Sequence, residues 1–367
     1  MVNQSIVKSI MKTYAMNYFK YTAFLAAGTL LAGSVSSCKN SDTDFPDYEG
    51  GVTAYFAKQD PVRTLILGEY EEGDNSLDNQ HKCMIFATQG GAYKSRDLSI
   101  EVTVDNTLVN DLYFEDGSPV KAMPAEYYSL ASTMLTKKKD YLFGTEVTFT
   151  DAFFADPDAL KNTYVIPLVM LKANGADRIL TGTIDDAYVN DSPLRTDESK
   201  WKVLPQDYVL YCVKYVNPWH AAYLRRGTDK ITANGVITTE ERKHEYVEQD
   251  EVVNFTTLGL NKCNYVFSHV FGEGDARHTY SCNLEITVGA DGQCTVSSSD
   301  NGVTVSGSGS YKEKGEKNSW GRQDRDAFYL DYTVVFNNEN VKFEVSDIFV
   351  LRSRDFKGEY FNPVYRK

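Results

Sequence analysis

Short stretches of alternating apolar and polar residues, each closed by a turn residue, constrain this chain more than any other feature. Leu98-Ser99-Ile100-Glu101-Val102-Thr103-Val104-Asp105 is the clearest, and Thr145-Glu146-Val147-Thr148-Phe149-Thr150 repeats it. A period of two places successive side chains on opposite faces of a strand, one buried and one wet. Residues 52–57, 62–68 and 81–88 read as further strands, with an acidic loop at 69–79 and Gly90-Gly91 as a stop. Residues 164–171 are continuously apolar with Pro167 inside, which predicts an edge strand or a bulge. Pro124-Ala125-Glu126-Tyr127-Tyr128-Ser129-Leu130 reads as a short turn or helical crossover. Seven or so strands at this spacing, without a long helix, predict an immunoglobulin-like β-sandwich over residues 51–192.

A polar linker over 193–205 follows, and from 206 to 367 the strands lengthen into consecutive hairpins. Strands are expected at 207–216, 223–226, 251–260, 263–271, 280–289, 293–298, 303–311, 327–337 and 341–352. Gly227-Thr228-Asp229 reads as a turn, and Asn338-Glu339-Asn340 joins the last two strands. Eight or nine antiparallel strands escape their unpaired edges by closing into a barrel, and a second sandwich or jelly roll is the alternative. The chain is thus expected to be all-β. Its 25 Tyr and 19 Phe suit half-buried strand faces, and exposed rings could also stack on sugars.

The front of the chain carries a different signal. Lys12 and Lys20 precede an apolar run over 21–32, which is signal-peptide length and short of the roughly 20 residues that span a bilayer. Ala32-Gly33-Ser34-Val35-Ser36-Ser37-Cys38 then places small residues before a cysteine, so residues 1–38 read as a lipoprotein signal with Cys38 as the acylation point. Met11 and Met16 are each plausible true starts. Residues 39–50, with Asp42, Asp44 and Asp47, form an acidic tether.

Charge narrows the partners. The first 38 residues hold three Lys and no acid, which leaves 35 basic and 51 acidic side chains beyond them, a net −16. Such a surface excludes nucleic acid, whose binding needs a basic footprint, and it does not adhere electrostatically to anionic lipid. The membrane partner is therefore reached through the acyl anchor. Beyond Cys38 the cysteines are Cys83, Cys212, Cys263, Cys282 and Cys294, an odd set without regular spacing. Folding about Gly289-Ala290-Asp291-Gly292 puts Cys294 opposite residues 287–289, too far from Cys282 for a disulfide.

The acylated Cys38, the acidic tether, Pro124–Leu130, Asn217-Pro218-Trp219-His220 and the C-terminal runs 329–334 and 348–352 together resemble a family of uncharacterised surface lipoproteins of gut Bacteroidota. That resemblance implies an immunoglobulin-like domain followed by a lipocalin-like (calycin-type) β-barrel. It also implies an outer-membrane position facing the cell exterior, beside SusC/SusD-type importers of polysaccharide-utilisation systems.

Signatures of catalysis do not appear. Gly-x-Ser-x-Gly and His-Glu-x-x-His are missing, and Ser118-Pro119-Val120-Lys121 matches Ser-x-x-Lys without partner motifs. The five His form no close pair on a strand face, so neither a metal nor a cofactor is expected. A glycosidase carboxylate pair stays open as an alternative, although Glu71-Glu72, Asp185-Asp186 and Glu240-Glu241 read as turn residues. Binding is the favoured reading. Trp320 sits in a polar loop with Arg322 and Asp324, and Trp219 follows Pro218 at a strand break, where a ring can stand exposed against a sugar face. The resemblance instead places Trp219 at the barrel bottom with Arg352 packed on it. Tyr223, Tyr329 and Tyr332 are expected inside the barrel. The expected ligand is a glycan bound for an importer, with a small apolar ligand inside the barrel as the alternative.

Overall fold

A computed structural model describes residues 47–272 and 277–366; Cys38 and its signal lie outside the described residues. The described chain is nearly all β, with one α-helix of a single turn at Asp151–Ala155. None of its helices is long and apolar enough to cross a membrane.

The N-terminal strands form one hydrogen-bonded path folded over a shared core. Thr53–Tyr55, Lys82–Gly90 and Leu142–Phe149 lie toward one end, and Ser99–Val104, Tyr164–Asn174 and Pro61–Ile66 toward the other, with Met134–Lys139 bridging them. Ala54, Ile85, Val147, Ile100 and Ile166 from both halves meet in that core, as the faces of a sandwich do. Alternation in sequence becomes alternation of burial: Ile100 and Val102 point inward, while Glu101 and Thr103 between them stay partly exposed.

Three expectations change here. The strand Tyr208–Val216, expected to open the barrel, pairs antiparallel with Tyr164–Asn174 and parallel with Pro61–Ile66. The expected linker is structured: Trp201–Val203 pairs with Thr183–Ile184 in a two-stranded sheet of their own, and Arg195 binds the buried Asp207 at the start of Tyr208–Val216. Tyr164–Asn174 is central rather than an edge. Pro167 is tolerated because it sits just past the last paired residue of Ser99–Val104, and the bulge falls between Met170 and Lys172.

The barrel begins after Asn217. Ala221–Ala233, Glu251–Gly259, Lys262–Phe271, His278–Val288, Gln293–Ser297, Val303–Glu316, Arg325–Phe336 and Val341–Ser353 pair in turn, and the last pairs with the first. Gly227 does not turn. The strand runs through it, because Ser346 O approaches to 2.0 Å of where a Cβ would stand, and the reversal comes at Asn234-Gly235. Val236–Arg242 is an additional strand on Ala221–Ala233, so Glu240 and Glu241 lie in a strand rather than a turn.

Past the barrel the chain returns. Glu359–Tyr360 pairs with Pro61–Val62, and Val364–Tyr365 with Leu112–Tyr113. Phe361 is buried with Phe114 against the outer face of Tyr208–Val216. All five described cysteines are free and buried, and Cys294 pairs in register with Val288, as the turn geometry requires.

Candidate functional site

Two features of the barrel decide where a ligand can sit. Its interior is filled. Tyr223, Phe255, Phe267, Phe328, Phe343 and Phe349 are fully buried, and Phe255 lies 4.6–5.4 Å, ring centre to ring centre, from Tyr223, Tyr265, Phe328 and Phe349. Rings at that spacing are in van der Waals contact.

Further along, the interior is polar and charged. Asp347 accepts from Arg225 Nε at 2.9 Å, Tyr332 OH at 2.6 Å and Arg242 at 2.6 Å. Arg242 also grips Asp229 through two bonds of 2.7 and 2.8 Å, and His269 Nδ1 stands 3.1 Å from Asp229. Burial raises the Asp229 pKa, but the bonds from His269 and Arg242 outweigh it and hold the carboxyl well below its usual range. These groups neutralise one another and plug the barrel.

The open space lies outside, where the barrel meets the first sheet. A cleft of about 1170 Å³ is walled on one side by the loop 68–72 and on the other by Trp219, Tyr311, Trp320, Asp326 and Arg352. Gly68 begins the loop with φ 86°, and a Cβ there would meet Pro218 at 2.6 Å, so only glycine lets the loop turn this close to the barrel. Two ion pairs cross the cleft, Glu69 to Lys314 and Glu71 to Arg325, each at 3.9 Å; the first is exposed on both sides, whereas Arg325 is mostly buried. An exposed pair of this length contributes about 0–1 kcal/mol.

Arg354 holds the two walls together. Its buried guanidinium donates to Leu67 O at 3.0 Å and Glu69 O at 2.7 Å on one side, and to Asn217 O at 2.9 Å and His220 O at 3.3 Å on the other. Asn217, fully buried, adds bonds from its amide to Gly259 O and Lys262 O.

His220 sits beside this junction. Its Nδ1 accepts from the Thr257 backbone N–H at 3.1 Å, which requires a neutral ring. Burial, then the charge of Arg354, lowers its pKa to about 4 from the usual 6.5. Because the unfolded chain binds this proton more tightly, stability is full above pH 6.5 and falls as pH drops toward 4. The loss expected from that shift is about 2–3 kcal/mol. Thermal unfolding from pH 7 to 4 checks this: His220→Asn should flatten the decline, and equal slopes for both proteins would assign it elsewhere.

The structure brings some of the expected site residues together and not others. Trp219, Trp320 and Asp324 line the cleft. Trp320 is anchored by Nε1 donating to Leu351 O at 2.8 Å, and Arg325 covers one face of its ring at 4.0 Å. Asp324 is tied to Lys317 and the Asn318 N–H. Arg322, in the same loop with φ 58°, is not among the lining residues. Tyr223 is buried beneath the cleft, donating to Trp219 O at 3.1 Å. Tyr332 is inside the barrel as expected, whereas Tyr329 lies between the inward-facing Phe328 and Leu330, points outward and bonds Glu316. Trp219 packs edge-on against Tyr311 at 6.0 Å. The arginine that secures this end is Arg354 rather than Arg352. Sequence reasoning missed Arg354, Tyr311 and Asp326, and it noted the acidic loop without its place opposite the barrel.

The sequence motif for catalysis dissolves in the fold. The Ser118 hydroxyl donates to Asp116 at 2.6 Å and Lys121 to Asp158 at 3.1 Å, so each has its own carboxylate partner. No group of three or more His, Cys, Asp or Glu among the described residues could hold a metal ion.

Comparisons with known proteins follow this division of the chain. Residues 218–355 match DUF5627, a domain of unknown function, and residues 47–177 match a family described as a "-like, N-terminal domain". A crystal structure of a protein of unknown function from Bacteroides ovatus shares 42% identity, with TM-score 0.81 over 88% of this chain and 100% of that one. A multidomain protein including DUF1735 from Bacteroides ovatus is 11% identical, with TM-score 0.37 over 82% and 94% of the two chains. An auxiliary nutrient binding protein from Bacteroides thetaiotaomicron is 12% identical, with TM-score 0.35 over 79% and 90%. The last two likenesses are too low to carry an argument. None of the curated proteins matches.

Proposed function

The chain belongs to the family of the Bacteroides ovatus protein of unknown function, with a DUF5627 domain over residues 218–355, and from that premise we propose a non-catalytic role in binding saccharide at a cell surface. The observation that carries this reading is the division of space. The barrel is packed with rings and paired charges, while the cleft outside it presents indole and phenol surface beside carboxylates. Sugar rings pack their C–H faces on aromatic groups and donate their hydroxyls to carboxylates, so such a wall suits them. A small apolar ligand would need interior room that Phe255, Phe267 and Phe343 occupy.

In this proposal Cys38 carries the acyl anchor, the acidic tether leads to the outer leaflet of an outer membrane, and the bound glycan passes to a SusC/SusD-type importer. The sequence resemblance supports that setting.

Affinity electrophoresis of the folded protein through gels containing individual polysaccharides tests the binding role. Retardation is expected on at least one, and Trp320→Ala should weaken it roughly tenfold, about 1.4 kcal/mol. Unretarded migration on every gel would refute the role. In cells, Cys38→Ala should move the protein from the membrane fraction to the soluble one; continued membrane association would refute the anchor.

A further inference from the structure

Resting on the saccharide-binding reading of the cleft, we infer that its ligand is an uncharged oligosaccharide and that the cleft rejects glycans bearing uronate or sulfate. The walls decide this. The loop from the first sheet contributes Glu69, Glu71 and Glu72, and the barrel side contributes Glu313, Asp324, Asp326 and Asp355. Against these seven carboxylates stand four lining cations, Lys314, Arg325, Arg352 and Arg354, with Lys317 beside the lining paired to Asp324.

Most of that positive charge is already engaged. Arg354 donates to four backbone carbonyls. Arg325 lies over the Trp320 ring, donates to Trp320 O at 3.3 Å and faces Glu71. Lys314 faces Glu69. Recognition of a carboxylate or sulfate calls for a guanidinium fork whose donors are free to bind in parallel. Arg352 alone would have to provide it, within a wall of excess negative charge.

Because the carboxylates line the cleft itself, an anion that enters comes within the ~8 Å Debye length of physiological salt of several of them, where screening is incomplete. A neutral sugar meets the same groups differently. Its hydroxyls donate charge-assisted hydrogen bonds to Glu313 or Asp355 on the barrel side, and its apolar face rests on the aromatic wall.

The test runs the folded protein through paired gels. Arabinoxylan, β-glucan and galactomannan serve as neutral probes, and polygalacturonate and chondroitin sulfate as anionic ones. Retardation is expected on a neutral gel and not on either anionic gel. The triple variant Glu69→Gln/Glu71→Gln/Glu72→Gln changes exposed loop side chains only. It should keep neutral binding within about threefold and gain retardation on polygalacturonate at low salt. Wild-type retardation on an anionic gel, weakened by salt and lost in Arg352→Ala, would overturn the inference while leaving the binding role intact. A triple variant that still ignores polygalacturonate would overturn it too. Free migration of the wild type on all five gels would remove the binding role and this inference together.

Discussion

Replacing Asp347 by Ala should destabilise the protein by about 3–5 kcal/mol, the usual loss when one partner of a buried ion pair is removed. The Asp347 and Arg225 side chains are 0% and 1% exposed. Without the carboxylate, Arg225 keeps one ion-pair partner, Glu251, which is half exposed and 3.3 Å away, beside a 3.4 Å bond to the Tyr332 hydroxyl, and Tyr332 loses the acceptor of its 2.6 Å bond. The network contributes less than that loss suggests, because gathering these charges out of water is itself costly. The double variant Asp347→Leu/Arg225→Met should therefore recover much of the deficit. Denaturant midpoints for the two single variants and the double one measure the coupling directly. A single-variant loss under 1 kcal/mol would show that the charges do not depend on one another.

Arg354→Met is expected to cost a similar amount, about 3–5 kcal/mol, through a different mechanism. Four carbonyls lose a donor at once; the bond to Leu67 is buried, where an unmatched carbonyl costs about 1–3 kcal/mol, while Asn217 O keeps the His220 N–H at 3.3 Å. Arg354→Lys should restore part of this, since an ammonium has three donors on a point and cannot span both walls as a planar fork does. Proteolysis gives a second readout: with the clamp gone, the loop 68–72 should be cut faster in an otherwise folded chain. Equal unfolding midpoints and equal cutting rates would show that the two walls are held by other contacts. If the cleft binds saccharide, this variant should also bind more weakly, since one wall is then unsupported.

The two variants probe different depths of the same barrel. Asp347 belongs to strand Val341–Ser353 and reports on its interior, while Arg354 follows that strand's last residue and reports on the junction. The chain's course explains why one segment can do both. After the junction it turns back and adds Glu359–Tyr360 and Val364–Tyr365 to the first sheet's territory, so residues distant in sequence close the unit.

What could be read from the residues alone was local. Alternation identified nearly every long strand, because the period of two follows from backbone geometry and one buried face, both of which a short window contains. The run of hairpins also predicted a closed barrel, since consecutive antiparallel strands leave edges that closure removes. Placement could not be read that way. Tyr208–Val216 is as apolar as a barrel strand and follows a polar stretch, yet Pro61–Ile66 and Tyr164–Asn174 take it into the first sheet. Gly227 has the composition of a turn, and only the approach of Ser346 from the last strand shows that it serves close packing.

The site divides along the same line. Trp219, Trp320 and Asp324 were visible as polar-loop and strand-break residues, and they do meet at one cleft. Tyr223 and Tyr329 were not separable by sequence, because the face a tyrosine takes depends on register with partner strands, Tyr223 opposite Leu351 across the barrel closure and Tyr329 opposite Ile348 in the next hairpin. Arg354 left no local signal: it is one arginine in a polar tail until the fold brings four carbonyls around it. The sequence by itself determined an all-β chain, an acidic surface and the candidate anchor at Cys38, since these depend on composition and short-range pattern. Only the tertiary structure decided that the barrel is filled and that open space lies between barrel and sheet, because packing is settled by contacts that no window of sequence contains.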